Sequence, residues 1–111
     1  MAVSLASEGP SHRTYFQGWI TDLSRSGLRM RIALISHTEN SAILSAQPLV
    51  RINFFVPHWQ RDAKLYGDIV SLRPDVEAVP PESDLGVKFV ALAAAELGGL
   101  EMALDYLAKR N

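Results

Sequence analysis

Residues 14–34 read TYFQGWITDLSRSGLRMRIAL, and this stretch predicts the type of fold. Its first half is rich in aromatic and β-branched residues, which favour strands. Ser24–Gly27 has the small polar and glycine residues of a turn. Residues 28–34 then alternate between apolar side chains and arginines, the period of two expected for a half-buried strand. The stretch therefore predicts two antiparallel strands joined by a short turn.

Strand-favouring runs recur along the rest of the first 92 residues. Short apolar or alternating segments bounded by turn residues predict four more strands, at Ala2–Leu5, Val50–Val56, Lys64–Leu72 and Leu85–Leu92. Gly67 lies inside one of these runs, where a lone glycine marks a bulge or a close backbone approach.

Two segments between the strands predict connections. Residues 36–48 show little periodicity, which predicts a long connection with a short apolar tuck at Ile43 and Leu44. Residues 74–84 are rich in proline and acidic side chains, which predicts an exposed loop.

The repeat changes after residue 92. Four leucines at helical spacing form a narrow apolar stripe along a helix of about residues 94–109: Leu97, Leu100, Leu104 and Leu107. Gly98 and Gly99 each cost about 1 kcal/mol of helix stability relative to alanine, so the firm helix is predicted to begin near Gly99. Six antiparallel strands and a terminal helix predict an all-β domain, either a small closed barrel or a Greek-key sheet.

The composition limits the classes of protein to consider. The length of 111 residues predicts one domain, residues 1–111, with the barrel over about 2–92. The net charge of −1 argues against binding of DNA or RNA. The absence of cysteine excludes a disulfide scaffold, a thiol nucleophile and an iron–sulfur cluster. No apolar run approaches the roughly 20 residues of a membrane span, and no signal peptide is evident, so we expect a cytoplasmic protein without membrane insertion.

The charges are divided along the chain. Residues 1–31 and 50–73 are rich in arginine, whereas residues 74–105 are acidic. One interpretation is a mixed, solvated surface. The other is a small anion site in the first half, with the acidic second half preventing general attraction of anions.

Searches for enzyme chemistry give no motif. The three histidines lie far apart and lack metal-ligand spacing, and Ser24 has neither a nucleophile-elbow motif nor a recognisable base. Phosphate-loop and dinucleotide-binding glycine motifs are absent. We therefore expect no catalytic residues, no metal and no cofactor, and a protein that is not an enzyme.

The turn sequence Asp22-Leu23-Ser24-Arg25-Ser26-Gly27 admits two roles. In a structural role, Asp22 and Ser24 cap backbone N–H groups, and Gly27 adopts a φ that bulky residues do not tolerate. In a binding role, the carboxylate accepts two hydrogen bonds from the edge of guanine, the hydroxyl and glycine let a flat base lie close, and Arg25 neutralises a phosphate.

At these residues the sequence resembles the PilZ domain family, over about residues 14–92. Four blocks carry the resemblance: D-x-S-x-x-G within Thr21–Leu28, a strand ending at proline in Ile52–Pro57, Gly67-Asp68-Ile69-Val70, and Leu85-Gly86-Val87-Lys88-Phe89. The resemblance implies a six-stranded antiparallel β-barrel with a C-terminal α-helix. It also implies a non-enzymatic receptor for the bacterial second messenger cyclic di-GMP, which relays ligand binding to a partner protein.

The family's site residues carry over by position. Asp22, Ser24 and Gly27 match the residues that contact one guanine in the family. The family also has an R-x-x-x-R motif before the first strand that binds phosphates and guanines. This motif is not found here, where the one arginine upstream of Asp22 is Arg13. The resemblance thus implies a cyclic di-GMP site formed by Asp22, Ser24, Gly27, Arg25 and Arg13.

Two alternatives stay open. One is a PilZ-type barrel that does not bind the nucleotide and acts as a protein-interaction adaptor, through the leucine stripe or through Trp59, which we expect to be more exposed than Trp19. The other is an unrelated small barrel with an unidentified ligand or a minor enzymatic role.

Overall fold

The computed structural model describes residues 1–7, 15–46, 49–57, 59–90 and 93–109. Within these ranges the chain forms six strands and two helices. In chain order they are β1 (Ala2–Ser7), β2 (Tyr15–Leu23), β3 (Gly27–Ala33), α1 (His37–Ala46), β4 (Leu49–Val56), β5 (Arg61–Asp75), β6 (Glu82–Phe89) and α2 (Ala94–Lys109).

The six strands close into an antiparallel barrel in the order β1-β2-β3-β6-β5-β4, and β4 pairs back to β1. Closure gives each strand a hydrogen-bonded neighbour on both sides and removes exposed strand edges. The predicted fold class, a six-stranded antiparallel β-barrel with a C-terminal helix, is confirmed.

Alternating side chains fill the barrel with an apolar core. The burial pattern of β4 alternates strictly between exposed or half-buried and buried positions, as expected for strands with one face inside. The largest fully buried apolar side chains are Leu5, Met30, Ile52, Leu65, Ile69, Leu85 and Leu100. Ser83 is the buried polar residue of the described chain, and its Oγ accepts a hydrogen bond from the Ile35 N–H.

Helix α2 packs across β5 and β4. Its buried residues are Gly99, Leu100 and Ala103, so only Leu100 of the predicted leucine stripe is fully covered. A Cβ on Gly99 would lie 3.4 Å from both Ala63 and Trp59, so glycine there allows close packing. The helix spans Ala94–Lys109, which confirms the predicted bounds of about 94–109 and shows that the two glycines do not delay its start. Glu96 accepts a hydrogen bond from the Ala93 N–H at this start.

Three sequence expectations need correction, two about the connections and one about the tryptophans. Residues 37–46 form helix α1, not an irregular connection, although Ile43 and Leu44 do pack against the core as predicted. The Ser36 Oγ accepts a hydrogen bond from the Glu39 N–H at 3.1 Å and caps this helix. The expected loop at 74–84 is confirmed for residues 76–81, whereas its two ends belong to strands, because β5 ends at Asp75 and β6 begins at Glu82.

The third wrong expectation concerns the tryptophans. The side chain of Trp19 is 64% exposed on the outside of β2, whereas Trp59 packs partly buried against the core. The guanidinium of Arg61 lies 5.5 Å from the centre of the Trp59 ring, which covers part of that ring. Trp19 is therefore the tryptophan available to a binding partner.

No helix in the described part of the chain is both long and apolar enough to cross a membrane.

We expect Leu65→Ala to lower the free energy of unfolding by about 2–5 kcal/mol, because it leaves a cavity in the centre of a closed core. Urea denaturation followed by tryptophan fluorescence measures this change. Val79→Ala is the control, since Val79 is 98% exposed, and it should stay within about 0.5 kcal/mol of the parent. Similar losses in both variants would contradict the assigned core.

Candidate functional site

The turn between β2 and β3 is held by Ser24. Its Oγ accepts hydrogen bonds from the backbone N–H groups of Ser26 and Gly27, each at 3.3 Å. The Ser24 N–H donates to the carbonyl oxygen of Gly27 at 2.9 Å, and the Phe89 N–H donates to that of Ser26 at 2.8 Å. The capping role predicted for Ser24 is confirmed, and the turn is fixed to the end of β6.

Gly27 is required for a different reason from the predicted one. Its φ lies outside the left-handed region, so no special backbone conformation excludes larger residues. Instead, a Cβ at this position would lie 2.2 Å from the carbonyl oxygen of Val87 in β6. The close approach of β3 and β6 leaves no room for a side chain.

Asp22 points outward because of a β-bulge. Even-numbered side chains of β2 up to Ile20 pack toward the core, so strict alternation would also turn Asp22 inward. The register with β3 shifts between Ile20 and Asp22, which leaves Thr21 as an extra residue. Thr21 and Asp22 are consequently both exposed, and Leu23 turns back toward the interior.

A second bulge lies in β5. Odd-numbered side chains from Ala63 to Ile69 are buried, but the register with β6 then shifts between Ile69 and Ser71. Val70 is exposed and Leu72 is buried beyond the shift. The bulge therefore lies at Val70, three residues after the predicted position at Gly67. The predicted close backbone approach at Gly67 is confirmed, because a Cβ there would lie 2.6 Å from the Lys88 carbonyl oxygen.

The two bulges flank a shallow pocket of about 180 Å³ on the outside of the barrel. It is lined by Asp22, Ser24, Gly27, Leu28, Arg29, Val70, Ser71, Gly86 and Val87. The structure therefore brings together three of the predicted site residues and adds others from β5 and β6 that the motif did not indicate. The glycine inside the predicted last strand, Gly86, was the sequence signal for this part of the site.

The pocket is smaller than the roughly 300–1,000 Å³ of sites that enclose a drug-sized ligand. It can take one flat ring, with the rest of a larger ligand outside. Its floor is low because Gly27 and Gly86 carry no side chain. A Cβ on Gly86 would lie 2.4 Å from the Ser71 Oγ, so this part of the floor is tightly packed as well.

Three arginines from the first 31 residues form ion pairs with acids from the second half of the chain. These pairs are Arg25 with Glu101 at 3.1 Å, Arg29 with Asp84 at 3.7 Å and Arg31 with Asp75 at 2.9 Å. In the described residues, no hydrogen bond or ion pair reaches the side chain of Asp22. The site thus contains a free carboxylate beside arginines whose charges are balanced.

Arg25 links the turn to helix α2. Its Nη2 also donates to Glu101 Oε2 at 3.3 Å, so the guanidinium meets both carboxylate oxygens. The two side chains are 78% and 49% exposed, which limits the pair to about 0–1 kcal/mol. Arg25 and Arg29 have R-x-x-x-R spacing, but they face different carboxylates.

The Arg31–Asp75 pair perturbs both of its members. The hydrogen bond from the Arg31 guanidinium lowers the pKa of Asp75. Desolvation is the next largest effect and acts in the opposite direction. The same hydrogen bond raises the pKa of Arg31. Arg31 follows Arg29 by two residues on the same face of β3, so this pair lies beside the Arg29–Asp84 pair, and the charge of Asp84 also helps to raise the pKa of Arg31.

Some predicted residues lie outside the described part of the chain. Arg13, His12 and His58 are among them, and of His37 only the backbone in α1 is described. Within the described ranges, no three histidine, cysteine or acidic side chains are grouped as metal ligands would be.

Comparison with known proteins adds no relative: no protein-family model matches the chain, and no curated protein matches it.

We expect Gly27→Ala to destabilise the protein strongly, because its Cβ would meet the Val87 carbonyl oxygen at 2.2 Å and one of two paired strands must move. The matched control is Gly98→Ala in helix α2, where a Cβ meets nothing within 4 Å. That change should raise stability by up to about 1 kcal/mol. Thermal denaturation compares the two variants, and a Gly27→Ala protein as stable as the parent would refute the close approach.

A pH series tests the Arg31–Asp75 pair. The pKa of Asp75 is lower in the folded state, so the pair stabilises the protein above the ordinary aspartate pKa of about 3.9 and this effect is lost as pH falls through the lower, folded-state value. Asp75→Asn should therefore lower Tm at pH 7, and the difference from the parent should shrink below about pH 4. Glu77→Gln serves as the control, and a pH-independent difference for Asp75→Asn would rule out the ionic contribution.

Proposed function

We propose that the chain is a non-enzymatic signalling module of the PilZ type that binds cyclic di-GMP in the cytoplasm and relays ligand binding to a partner protein. The observation that carries the proposal is the Asp22 carboxylate, which the bulge at Thr21 turns outward beside a pocket sized for one ring. No described side chain pairs with it, so it is available to a ligand.

The chemistry of the pocket suits guanine. The Watson–Crick edge of guanine presents two neighbouring N–H donors, and a carboxylate accepts both. The low floor at Gly27 and Gly86 lets a flat base approach, and the exposed side chain of Val70 supplies apolar contact. Adenine presents an acceptor where guanine has its ring N–H, so Asp22 would repel it.

The phosphates of the ligand require positive charge, and Arg25 and Arg29 lie closest in sequence to the pocket. Both are paired with carboxylates in the structure. Exposed ion pairs are worth about 0–1 kcal/mol, whereas a hydrogen bond to a charged group is worth about 1.5–3 kcal/mol. Exchange of Glu101 for a phosphate therefore costs Arg25 little and would loosen the contact between the turn and helix α2. This exchange is the step by which we propose that binding reaches a partner.

The roles of the three motif residues differ in this proposal. Asp22 accepts hydrogen bonds from the guanine edge, and Gly27 leaves space for the flat base because it has no side chain. The Ser24 hydroxyl already accepts two backbone N–H groups, so its main work is to hold the turn beside the ligand. The family resemblance implied a direct contact for Ser24, and the turn geometry favours an indirect role.

The second candidate is a barrel that does not bind the nucleotide and acts as a protein-interaction adaptor. It is favoured by one observation: Ser24 and Gly27 are fully accounted for by the turn and by strand packing. Of the docking surfaces that the sequence suggested, Trp59 is partly covered and Leu100 is buried, whereas Leu97 of the leucine stripe is 43% exposed.

Isothermal titration calorimetry with cyclic di-GMP distinguishes the two candidates. Binding that saturates at or below about 100 μM supports the signalling module, and cyclic di-AMP should give no heat at the same concentration. The absence of heat with cyclic di-GMP would favour the adaptor. The measurement uses the whole chain, since the turn, β5 and β6 all contribute to the pocket.

Asp22→Asn should weaken cyclic di-GMP binding by about 1.5–3 kcal/mol, or roughly 10- to 150-fold, because the charge-assisted hydrogen bonds to guanine are lost. Glu77→Gln removes one negative charge in the loop after β5 and should leave the affinity unchanged. Equal affinity of the Asp22→Asn variant and the parent would mean that the bulge does not serve ligand binding.

A further inference from the structure

A groove runs along the outside of β1, away from the pocket at Asp22. The outward side chains of β1 include Ala2 and Ser4, which are small. Ala2 lies opposite Trp19 in β2, and Ser4 lies opposite Gln17 in β2 and Asn53 in β4. Small residues on the central strand and larger ones on both neighbours leave a trough of about 540 Å³, the β1 groove.

Aromatic rings stand on both sides of the β1 groove. Trp19 lines it from β2 and is 64% exposed, and Phe55 lines it from β4 and is 49% exposed. Large aromatic side chains exposed on the two walls of one groove are typical of binding sites. The faces of aromatic rings carry partial negative charge and attract cations.

The polar side chains that line the β1 groove include hydrogen-bond acceptors as well as donors. Gln17 uses its Nε2 to donate to the Tyr15 Oη at 2.9 Å, which leaves its carbonyl oxygen for another group. The Asn53 Oδ1 is buried and has no hydrogen-bond partner among the described residues. Because the Asn53 Oδ1 is buried, the acceptor open to a ligand is the carbonyl oxygen of the exposed Gln17, and it suits a ligand with hydrogen-bond donors.

The described residues that line the β1 groove include one charged side chain, and its charge is negative. Asp62 is the one charged residue among its described lining residues, and it lies opposite Phe55 in the β4–β5 pairing. Aromatic walls together with one carboxylate in the lining complement a cation. Guanidinium fits best, because it has five donors and no acceptor, pairs with a carboxylate through two parallel bonds and stacks on aromatic rings.

We propose that the β1 groove binds an arginine side chain carried by an extended segment of a partner polypeptide. The guanidinium lies between Trp19 and Phe55 with Asp62 as its counter-ion, and the peptide backbone follows the groove past Ser4 to the amides of Gln17 and Asn53. The groove is larger than one guanidinium and open along the strand, which favours a peptide over a free small molecule. The site does not involve Asp22 and stands independently of nucleotide binding.

The test titrates the ¹⁵N-labelled whole chain with the peptide Ac-Ala-Arg-Ala-Ala-NH₂ and follows amide and indole signals by NMR. We expect saturable shifts at the Trp19 indole N–H and at the backbone of Ala2 and Ser4, with a Kd on the order of 1 mM, as suits one charged anchor. The matched peptide with citrulline in place of arginine keeps the shape and loses the charge. It should bind at least about tenfold more weakly.

Variants locate the binding site. Asp62→Asn and Trp19→Leu should each weaken the arginine peptide at least about fivefold. Asp68→Asn, on the same strand but outside the groove, is the control and should not change the affinity. Trp19 and Asp62 are exposed, so dispersed NMR spectra should show that all three variants remain folded.

Three outcomes would overturn the proposal. They are equal binding of the citrulline peptide, shifts centred away from the β1 groove, and affinities unchanged in Asp62→Asn and Trp19→Leu. A further arm uses N-acetyl-arginine amide, which has the side chain without the extended backbone. Affinity equal to that of the peptide would assign the groove to a small guanidinium compound and would also contradict the proposed peptide.

Discussion

Closure of the barrel is the constraint on which the candidate site depends. Each strand has a paired neighbour on both sides, so the alternation of its side chains is fixed along its whole length unless a residue is inserted. Thr21 in β2 and Val70 in β5 are such insertions. Without the first, Asp22 would face an apolar core, where an unpaired carboxylate is strongly unfavourable. The bulge at Thr21 therefore places the Asp22 carboxylate, a hydrogen-bond acceptor, on the surface instead of in the core.

The second feature of the fold is the way it recombines the charges. The sequence separates arginines in the first 31 residues from acids after residue 73, and the strand order brings them back together because β3 lies beside β6. Arg29 and Arg31 then meet Asp84 and Asp75. The mixed-surface interpretation is the one that the described pairs support. Any anion that binds near the turn must compete with carboxylates already present.

The sequence was informative where the signal was local. Period-two alternation in residues 28–34 and 50–56 reported burial directly, because neighbouring side chains of a strand face opposite sides of the sheet. Helix α1 was missed because its apolar residues Ile43 and Leu44 are adjacent and form no stripe. Its beginning was nevertheless visible in Ser36-His37-Thr38-Glu39, the spacing of a capping box.

Features that depend on a partner strand could not be predicted in this way. The direction of Asp22 depends on how β2 pairs with β3, and the need for Gly27 depends on the carbonyl oxygen of Val87, 60 residues later in the chain. Proline at position 74 indicated a loop, yet Pro74 lies opposite Ser83 in the β5–β6 pairing. The motif named three residues of the pocket, but the residues from β5 and β6 became apparent only after the barrel was closed.

The same packing limits how a bound ligand can act on the rest of the molecule. A Cβ on Gly18 would lie 1.9 Å from the Arg31 carbonyl oxygen, and one on Gly27 would lie 2.2 Å from that of Val87. Strand β3 is therefore held tightly between β2 and β6, and moving it would break two hydrogen-bonded ladders. The Arg25–Glu101 pair is exposed and worth at most about 1 kcal/mol. If a ligand displaces the turn, the Arg25–Glu101 pair should break before the strands of the barrel move. Under the proposed function, ligand binding would therefore alter the contact with helix α2 and leave the barrel unchanged.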